Sequence, residues 1–292
     1  MNADRRHAAT GLAFVSPALV FTALLFVLPL GLTVWMSLHD WPLLGEPTFI
    51  GLDNYGRVLT DGTFRDSLLF TAKYTVLVTI AIFAVAFGLA LLVNRARPGV
   101  GLFRTAFFLP TVVGLGAASL LWSWLYNPRF GYLPDLVVRL GLADSPPQWM
   151  LSSTGALICV IVMVVWKTAG FNMLLLLVGM QSIPREEYEA ARIDGAGPTQ
   201  QFFFITLPRM KATITLALAL SLTGSYLAFE QFFIITRGNP AGSTLTAVFA
   251  SYKAAFTQFK LGLAAAVGVV LLIVIGLLNL VQIRLMRRET DQ

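Results

Sequence analysis

The chain has little of the side-chain chemistry that metalloproteins and soluble enzymes use. Its 292 residues include one cysteine, Cys159, and two histidines, His7 and His39. A single thiol cannot form an intrachain disulfide, and this set is too small for a structural zinc site. Only 12% of the residues are charged, against about 25% in soluble domains. These shortages exclude redox and zinc chemistry, and they argue against a soluble enzyme.

Nucleotide-binding and hydrolytic motifs are also missing. Gly51 and Gly56 have the glycine spacing of a phosphate-binding loop, but Arg57 and Val58 stand where that loop needs lysine and a hydroxyl. Glu230 is the only acid well inside an apolar stretch, so no buried carboxylate pair or Ser, His and Asp set predicts a hydrolase. We expect no catalytic residue, no metal site and no cofactor bound by this chain. Energy for an active process must come from a partner.

Apolar side chains are abundant instead. They make up 57% of the residues, and the mean hydropathy is +0.74, which is too apolar for one water-soluble domain of this length. Six stretches are long enough to cross a hydrocarbon core about 30 Å thick. These predicted spans are Leu12–Leu38, Ser67–Val93, Leu102–Tyr126, Thr154–Met180, Ala212–Ile235 and Leu261–Leu285. The sequence therefore predicts an all-α, polytopic membrane protein with a single domain over residues 1–292.

Basic residues are spread unevenly over the two sides that six spans define. Lys73 and Lys167 lie within spans, and seven other basic residues lie on the side opposite the termini. The side of the termini carries twelve: Arg5, Arg6, Arg95, Arg97, Arg104, Arg185, Arg192, Arg209, Lys211, Arg284, Arg287 and Arg288. Cytoplasmic segments are enriched in Lys and Arg, so both termini are predicted to be cytoplasmic. This distribution accounts for the net charge of +6 without a basic domain, and no nucleic-acid partner is expected.

The most informative segment is the predicted cytoplasmic link between the fourth and fifth spans, at about residues 181–211. Pro184 and the acids that follow it favour the first turn of a helix, and Gly195 with the next proline ends that helix after about three turns. Ala190 and Ala191 leave its surface open to close approach. A short, capped helix of this kind is typical of a segment that docks into a groove of a partner; an ordinary connecting loop is the alternative.

This link resembles the EAA loop of the inner-membrane permeases of binding-protein-dependent ABC importers. The family pattern is Glu-Ala-Ala, three residues, Gly, nine residues and Ile-x-Leu-Pro. Glu189-Ala190-Ala191, Gly195 and Ile205-Thr-Leu-Pro208 fit this pattern without a gap. Other segments are similar to the sugar and glycerol-phosphate branch, and within it to the maltose-type first permease subunit. They are Gly51-Leu-Asp-Asn-Tyr55, Phe107-Phe-Leu-Pro110, Trp166-Lys-Thr-Ala-Gly-Phe-Asn-Met173 and Ile193-Asp-Gly-Ala196.

The resemblance implies partners and a mechanism. This chain would pair with a second, similar permease subunit, two ATP-binding subunits and an extracytoplasmic solute-binding protein in a bacterial or archaeal cytoplasmic membrane. ATP and Mg would bind to the ATP-binding subunits, and alternating access would import a carbohydrate, a polyol or a sugar phosphate. The residues that couple the chain to the ATPase would be Glu189, Ala190, Ala191, Asp194 and Gly195.

Polar side chains within the spans are candidates for a substrate path, because polar groups in hydrocarbon usually face a cavity or another helix. At about 100° per residue, Thr223, Tyr226 and Glu230 share one face of the fifth span. A carboxylate can accept hydrogen bonds from sugar hydroxyls, and a tyrosine can stack on a sugar ring. The fourth span adds Trp166, Lys167 and Asn172. The alternative is bonding within the bundle, such as an ion pair between Lys167 and Glu230.

Two other functional classes are open on the residues alone. A secondary carrier could couple solute to H⁺ or Na⁺ through Glu230, although the docking-helix form of the cytoplasmic link argues against it. A membrane-embedded enzyme lacks residues to carry its chemistry. Segment Thr236-Arg237-Gly238-Asn239-Pro240 departs from the glycine-rich turn of the family, so the resemblance does not name the solute.

Overall fold

The structure is a computed structural model that describes residue 11 and residues 14–94 and 98–290, with side chains as far as residue 284. Several residues used above lie outside the described residues. They are Arg5, Arg6, His7, Leu12, Arg95 and Arg97, and the side chains of Arg287 and Arg288 are likewise not described.

Helices dominate the described chain, which confirms the expected helical class. In chain order they are α1 Phe14–Ser37, α2 Asp53–Thr60, α3 Gly62–Val93, α4 Val100–Val112, α5 Leu115–Leu125, α6 Tyr132–Arg139, α7 Ser153–Gln181, α8 Arg185–Ile193, α9 Pro198–Arg209, α10 Lys211–Tyr226, α11 Ala247–Phe256 and α12 Leu261–Thr290. A 3₁₀ turn covers Trp149–Leu151 and a π-helical turn covers Phe232–Thr236. Strands β1, His39–Asp40, and β2, Thr48–Phe49, pair antiparallel, with His39 opposite Phe49.

Four described helices are long and apolar enough to cross a membrane by themselves. They are α1, α3, α7 and α12, the last as far as Arg284, and they match the first, second, fourth and sixth predicted spans. Two further helix pairs are apolar enough but bent: α4 with α5 by 96° and α9 with α10 by 72°. Counting each bent pair as one span raises the number to six. Many apolar side chains of these helices are exposed, for example Phe14, Leu92 and Leu102, as expected where lipid is the solvent.

The third predicted span, Leu102–Tyr126, was expected to be one helix, and this prediction is wrong. Helix α4 ends at Val112, and Val113 and Gly114 are extended, with ψ angles of 129° and 142°. Pro110 weakens the last turn of α4 because it has no N–H to donate. Helix α5 then starts in a new direction at Leu115.

The fifth predicted span, Ala212–Ile235, is also broken. Helix α10 ends at Tyr226, and helical structure resumes only at Glu230. The hydroxyl of Thr246 donates a 2.7 Å hydrogen bond to the Ala228 carbonyl within this gap, so a side chain satisfies a group that a continuous helix would bond itself. The predicted common helical face of Thr223, Tyr226 and Glu230 is therefore wrong.

Two compact units make up the chain. One contains Met1–Arg65 and Ala250–Ile273, and the other contains Asp66–Phe249 and Val274–Gln292. In the first unit, Asn54 of α2 donates hydrogen bonds to the carbonyls of Ser37, at 3.0 Å, and His39, at 2.8 Å. The amide of Asn54 therefore fixes the end of α1 against α2. This contact gives Asn54 a structural role within the Gly51–Tyr55 segment.

The second unit has a core where α3 meets α7. Its fully buried side chains include Met173 and Leu176 of α7 and Ala86 and Ala90 of α3. The small alanines let the two helices approach closely, and the long side chains of α7 fill the space between them. This core supports the end of α7 from which the link to α8 departs.

Candidate functional site

Helix α8, Arg185–Ile193, is the helix predicted in the link, and its C-terminal end is closed by backbone hydrogen bonds. The N–H of Ala196 donates to the Ala191 carbonyl at 2.8 Å, and the N–H of Gly195 donates to the Arg192 carbonyl at 3.1 Å. This pair of bonds is a Schellman motif, which needs a left-handed residue after the helix. Gly195 supplies it with a φ of +82°. The helix has nine residues, slightly fewer than the three turns expected.

Side chains bind α8 to the next helix, α9. Arg209 of α9 donates from Nε to Oε2 of Glu187 at 2.8 Å. The hydroxyls of Tyr188 and Thr206 are 2.9 Å apart and share a hydrogen bond. Gln201 donates from Nε2 to the Ala196 carbonyl at 2.9 Å, which ties the turn to α9 as well. The link is therefore a braced helix pair, so a displacement of α8 would be passed to α9.

The predicted coupling residues form an open surface. Glu189, Ala190, Asp194 and Gly195 are exposed, and Ala191 is half-buried. The apolar side chain of Ile193 is 88% exposed beside them. A Cβ added to Gly195 would meet no atom within 4 Å. This surface leaves room for another protein to approach the helix backbone.

A second group of polar residues surrounds the break between α4 and α5. Helix α7 lies directly on α4 there, because a Cβ added to Gly170 would overlap the carbonyl oxygen of Phe107. Two of the segments on which the family resemblance rests, one on each helix, therefore pack against each other. The glycine makes room for backbone-to-backbone contact that a larger residue would prevent.

Lys167 of α7 reaches the C-terminal end of α4. Its Nζ donates to the carbonyl of Val113 at 2.6 Å and to that of Thr111 at 3.1 Å. The hydroxyl of Thr111 donates in return to the carbonyl of Lys167 at 2.9 Å. The last carbonyls of a helix have no N–H partner within it and carry partial negative charge. Lys167 satisfies them with both hydrogen bonds and charge.

Glu230 lies at the first turn of α5. Its Oε2 is 3.5 Å from the position that a Cβ on Gly116 would take. The Nζ of Lys167 donates to backbone carbonyls and not to Glu230, so the ion pair offered as an alternative above is not formed. Within the part of the chain that the structure describes, no hydrogen bond to the Glu230 carboxylate is found, and the residue is exposed.

The other candidates for the path lie in different surroundings. Asn172 is buried; it donates to the Thr168 carbonyl at 3.1 Å and accepts from the Ser221 hydroxyl at 3.2 Å, which joins α7 to α10. The ring of Trp166 lies 5.5 Å from that of Trp122, between centroids. Tyr226 is buried at the end of α10, and Thr223 is half-buried one turn earlier. The contacts of Asn172 are those of a bundle residue, and a role of the others in the path stays a prediction.

Sequence reasoning missed Thr111, Val113 and Gly116, which meet Lys167 and Glu230. The carbonyls of Thr111 and Val113 act through the backbone, and a backbone contact leaves no trace in the residue type. Pro110 and Gly114 were the available signal, because a proline followed by glycine inside an apolar stretch indicates a break.

An open cavity of about 360 Å³ lies between the end of α5 and α6, away from these residues. Its lining includes Trp124, Arg129, Tyr132 and Asp135. Asp135 is paired with Arg139 at 2.7 Å. Over residues 14–94 and 98–284, no group of three or more His, Cys, Asp and Glu side chains could hold a metal ion.

Known proteins resemble the chain over nearly its whole length. It is 37% identical over 283 residues to a Bacillus subtilis protein named "Probable ABC transporter permease protein YurN", covering 96% of each chain. It is 33% identical over 274 residues to the sn-glycerol-3-phosphate transport system permease protein UgpA of Escherichia coli O6:K15:H31, covering 92% of this chain and 91% of UgpA.

The fold recurs in a solved structure. A chain of a bacterial alginate ABC transporter, crystallised with an alginate pentasaccharide-bound periplasmic protein, matches with a TM-score of 0.84 at 20% identity. The match covers 99% of this chain and 98% of that one. The family profile described as binding-protein-dependent transport system inner membrane component matches residues 76–290. Together with the identity to YurN and UgpA, this places the chain in the family of inner membrane components of binding-protein-dependent transport systems.

Proposed function

We propose that this chain is one of the two permease subunits of an ATP-driven ABC importer and that α8 is its coupling helix. The observation that carries the proposal is the form of α8: a short helix, closed by Gly195, braced to α9, with Ala190 and Ile193 exposed. An exposed apolar side chain beside small residues suits insertion into a groove of an ATP-binding subunit.

The membrane arrangement follows from the same proposal. Six spans result when α4 with α5 and α9 with α10 each count as one. Both termini and α8 then lie in the cytoplasm, in agreement with the excess of Lys and Arg on that side. In this proposal, residues 1–292 form one permease domain.

The solute is a carbohydrate or a related polyol or sugar phosphate. The proposal is supported by the solutes in the names of similar proteins, which are sn-glycerol-3-phosphate for UgpA and alginate for the solved transporter. Glu230 has acceptor oxygens for hydroxyl groups, and Trp166 and Tyr226 offer aromatic faces to a sugar ring. Thr223 completes the proposed path.

Transport proceeds by alternating access, with energy from the partners. The second permease subunit completes the bundle, the extracytoplasmic binding protein delivers the solute, and the two ATP-binding subunits hold ATP and Mg. When those subunits close, they displace α8, and the Glu187–Arg209 and Tyr188–Thr206 contacts pass the displacement to α9 and α10. This chain itself binds no cofactor.

Paired substitutions at Gly195 test the coupling role. Gly195→Ala and Gly195→Trp both strain the left-handed backbone, at a cost of about 1 kcal/mol. Only tryptophan adds bulk to a surface that is open in this chain. We expect Gly195→Ala to retain most coupled uptake, and Gly195→Trp to abolish it while the permease is still inserted. The measurements are solute uptake and ATP hydrolysis of the whole complex in proteoliposomes.

Equal uptake by the two variants would contradict the docking of α8 against a partner. Purification of the tagged wild-type chain provides the control, because an ATP-binding subunit should co-purify with it and less of it with Gly195→Trp. Uptake that needs no ATP, follows a proton or sodium gradient and is lost in Glu230→Gln would contradict the importer and indicate a secondary carrier.

A further inference from the structure

The break between α4 and α5 leaves backbone groups without helical partners inside an apolar part of the chain. Hydrocarbon offers no hydrogen bonds, and each unsatisfied backbone group there costs several kcal/mol. A broken helix in a membrane therefore persists only where protein groups or water in a cavity satisfy its ends. The contacts at the break show how this chain does it.

Lys167 satisfies the carbonyl end. It bonds two carbonyls of the α4 terminus, while Thr111 bonds the backbone of Lys167 in return. These three hydrogen bonds join residues 54 to 56 positions apart in sequence. Gly170, one turn further along α7, fixes the same two helices in contact at Phe107. Lys167 is thus held at the break by its own hydrogen bonds to α4 and by the close contact of α7 with α4 at Gly170.

Glu230 lies at the other end of the break. Its carboxylate is next to Gly116, the second residue of α5, where the N–H groups of a helix start carry partial positive charge. The two charges therefore match the two helix ends, a cation at the carbonyl end of α4 and an anion at the amide end of α5. Among the described residues, Lys167 forms hydrogen bonds to the chain and the Glu230 carboxylate forms none, and Glu230 is exposed.

We propose that these two charged residues have separate tasks: Lys167 is a positioning residue that holds α4 and α5 at their bend, and Glu230 is the group left available to bind hydroxyls of the solute. The assignment of Glu230 rests on the proposed function. The assignment of Lys167 concerns the geometry of the bend and stands without it.

A distance across the bend tests the task of Lys167. Spin labels at Leu102 of α4 and Leu120 of α5, both exposed, report the distance between the two helices in the purified complex in nanodiscs, with Cys159→Ser as background. We expect one narrow distance distribution for the wild type and for Lys167→Arg, which keeps a cation and several donors. Lys167→Met keeps the length and removes the charge, so its distribution should broaden.

Two further variants complete this experiment. Lys73→Met makes the same replacement on α3, at an exposed lysine, and should leave the distribution narrow. Thr111→Val removes only the hydrogen bond from the Thr111 hydroxyl to the Lys167 carbonyl. This variant tests the positioning role if the Lys167→Met complex does not assemble. A distribution as narrow as that of the wild type in Lys167→Met, or in Thr111→Val when the former does not assemble, would overturn the positioning role.

Uptake kinetics test the separation of tasks. Lys167→Met should lower the maximal rate of uptake roughly tenfold or more, as expected for lost hydrogen bonds to a charged donor, with KM unchanged and with rescue by Lys167→Arg. Glu230→Gln should instead change KM or solute preference and keep the narrow distance. A KM change in Lys167→Met, or a Glu230→Gln variant in which neither KM nor solute preference changes, would overturn the division. A missing ATPase in the complex would instead contradict the proposed function, and the distance measurement would still decide the role of Lys167.

Discussion

Gly195 and Gly170 each tolerate few substitutions, for physical reasons that the apolar composition does not reveal. Gly195 is required for its backbone conformation, because its φ is positive and no neighbour crowds it. Gly170 is required for space, because the Phe107 carbonyl occupies the place of a side chain. The same residue type therefore answers two different physical demands, and substitutions should separate them.

Gly170→Ala should destabilise the chain strongly. The added methyl group overlaps a backbone oxygen, and backbone cannot give way as a flexible side chain can, so we expect a loss of about 2 kcal/mol or more. Gly88→Ala is the matched control. Gly88 lies on α3, another long helix, and a Cβ there would meet no atom within 4 Å. Thermal unfolding of the purified complex, with the folded yield in detergent, measures both variants.

Gly88→Ala should unfold at the wild-type temperature or slightly above it, because alanine favours a helix. Equal unfolding temperatures for the two variants would show that α7 and α4 can separate at Gly170 without cost.

At the scale of elements, the brace between α8 and α9 matters for orientation more than for stability. In the Glu187–Arg209 pair, the side chain of Arg209 is 62% exposed and that of Glu187 is 28% exposed. Exposed ion pairs contribute about 0–1 kcal/mol, since water screens them. Their loss leaves the protein folded but lets α8 move relative to α9.

Charge reversal tests this brace. Glu187→Arg and Arg209→Glu should each lower uptake per ATP hydrolysed, because each places like charges together, while the unfolding temperature changes little. The double variant restores opposite charges and should recover most of the coupling. Uptake and ATP hydrolysis, measured on the same proteoliposomes, give the ratio.

Failure of the double variant to recover coupling, with both single variants impaired, would mean that each side chain acts independently on a partner. Reversal of Glu186 to Arg is a suitable control, because this acid lies in the same first turn of α8 and is exposed.

Breaks in elements were the least accessible feature of the sequence. The apolar length of Leu102–Tyr126 is the same for a straight helix and for two helices at 96°, so hydropathy cannot tell them apart. The bend depends on Lys167, which is more than fifty positions away in the chain and supplies the missing hydrogen bonds. The end of α10 at Tyr226 likewise depends on Thr246.

At the scale of the whole molecule, the orientation in the membrane can be tested with single cysteines. Asp53 is exposed at the start of α2, and Asp4 lies outside the described residues. In a Cys159→Ser background, we expect Asp53→Cys to react with an impermeant thiol reagent in intact cells and Asp4→Cys to be protected, because the excess of basic residues places the termini inside.

Permeabilised cells are the control, since both cysteines should react there. Reaction at Asp4 with protection at Asp53 would reverse the orientation and place α8 on the outside, away from any cytoplasmic ATPase.

The sequence alone determined the helical membrane class, the extent of four unbroken helices and the helix ended by Gly195, because these depend on apolar length and local backbone preference. It also marked Lys167 and Glu230, since charge within apolar stretches is visible in the composition. Only the tertiary structure decided that α4 and α5 bend, that Lys167 serves backbone carbonyls and that Asn172 joins two helices. Those outcomes depend on which distant groups satisfy one another's hydrogen bonds, and a hydrogen-bond partner is chosen by the fold.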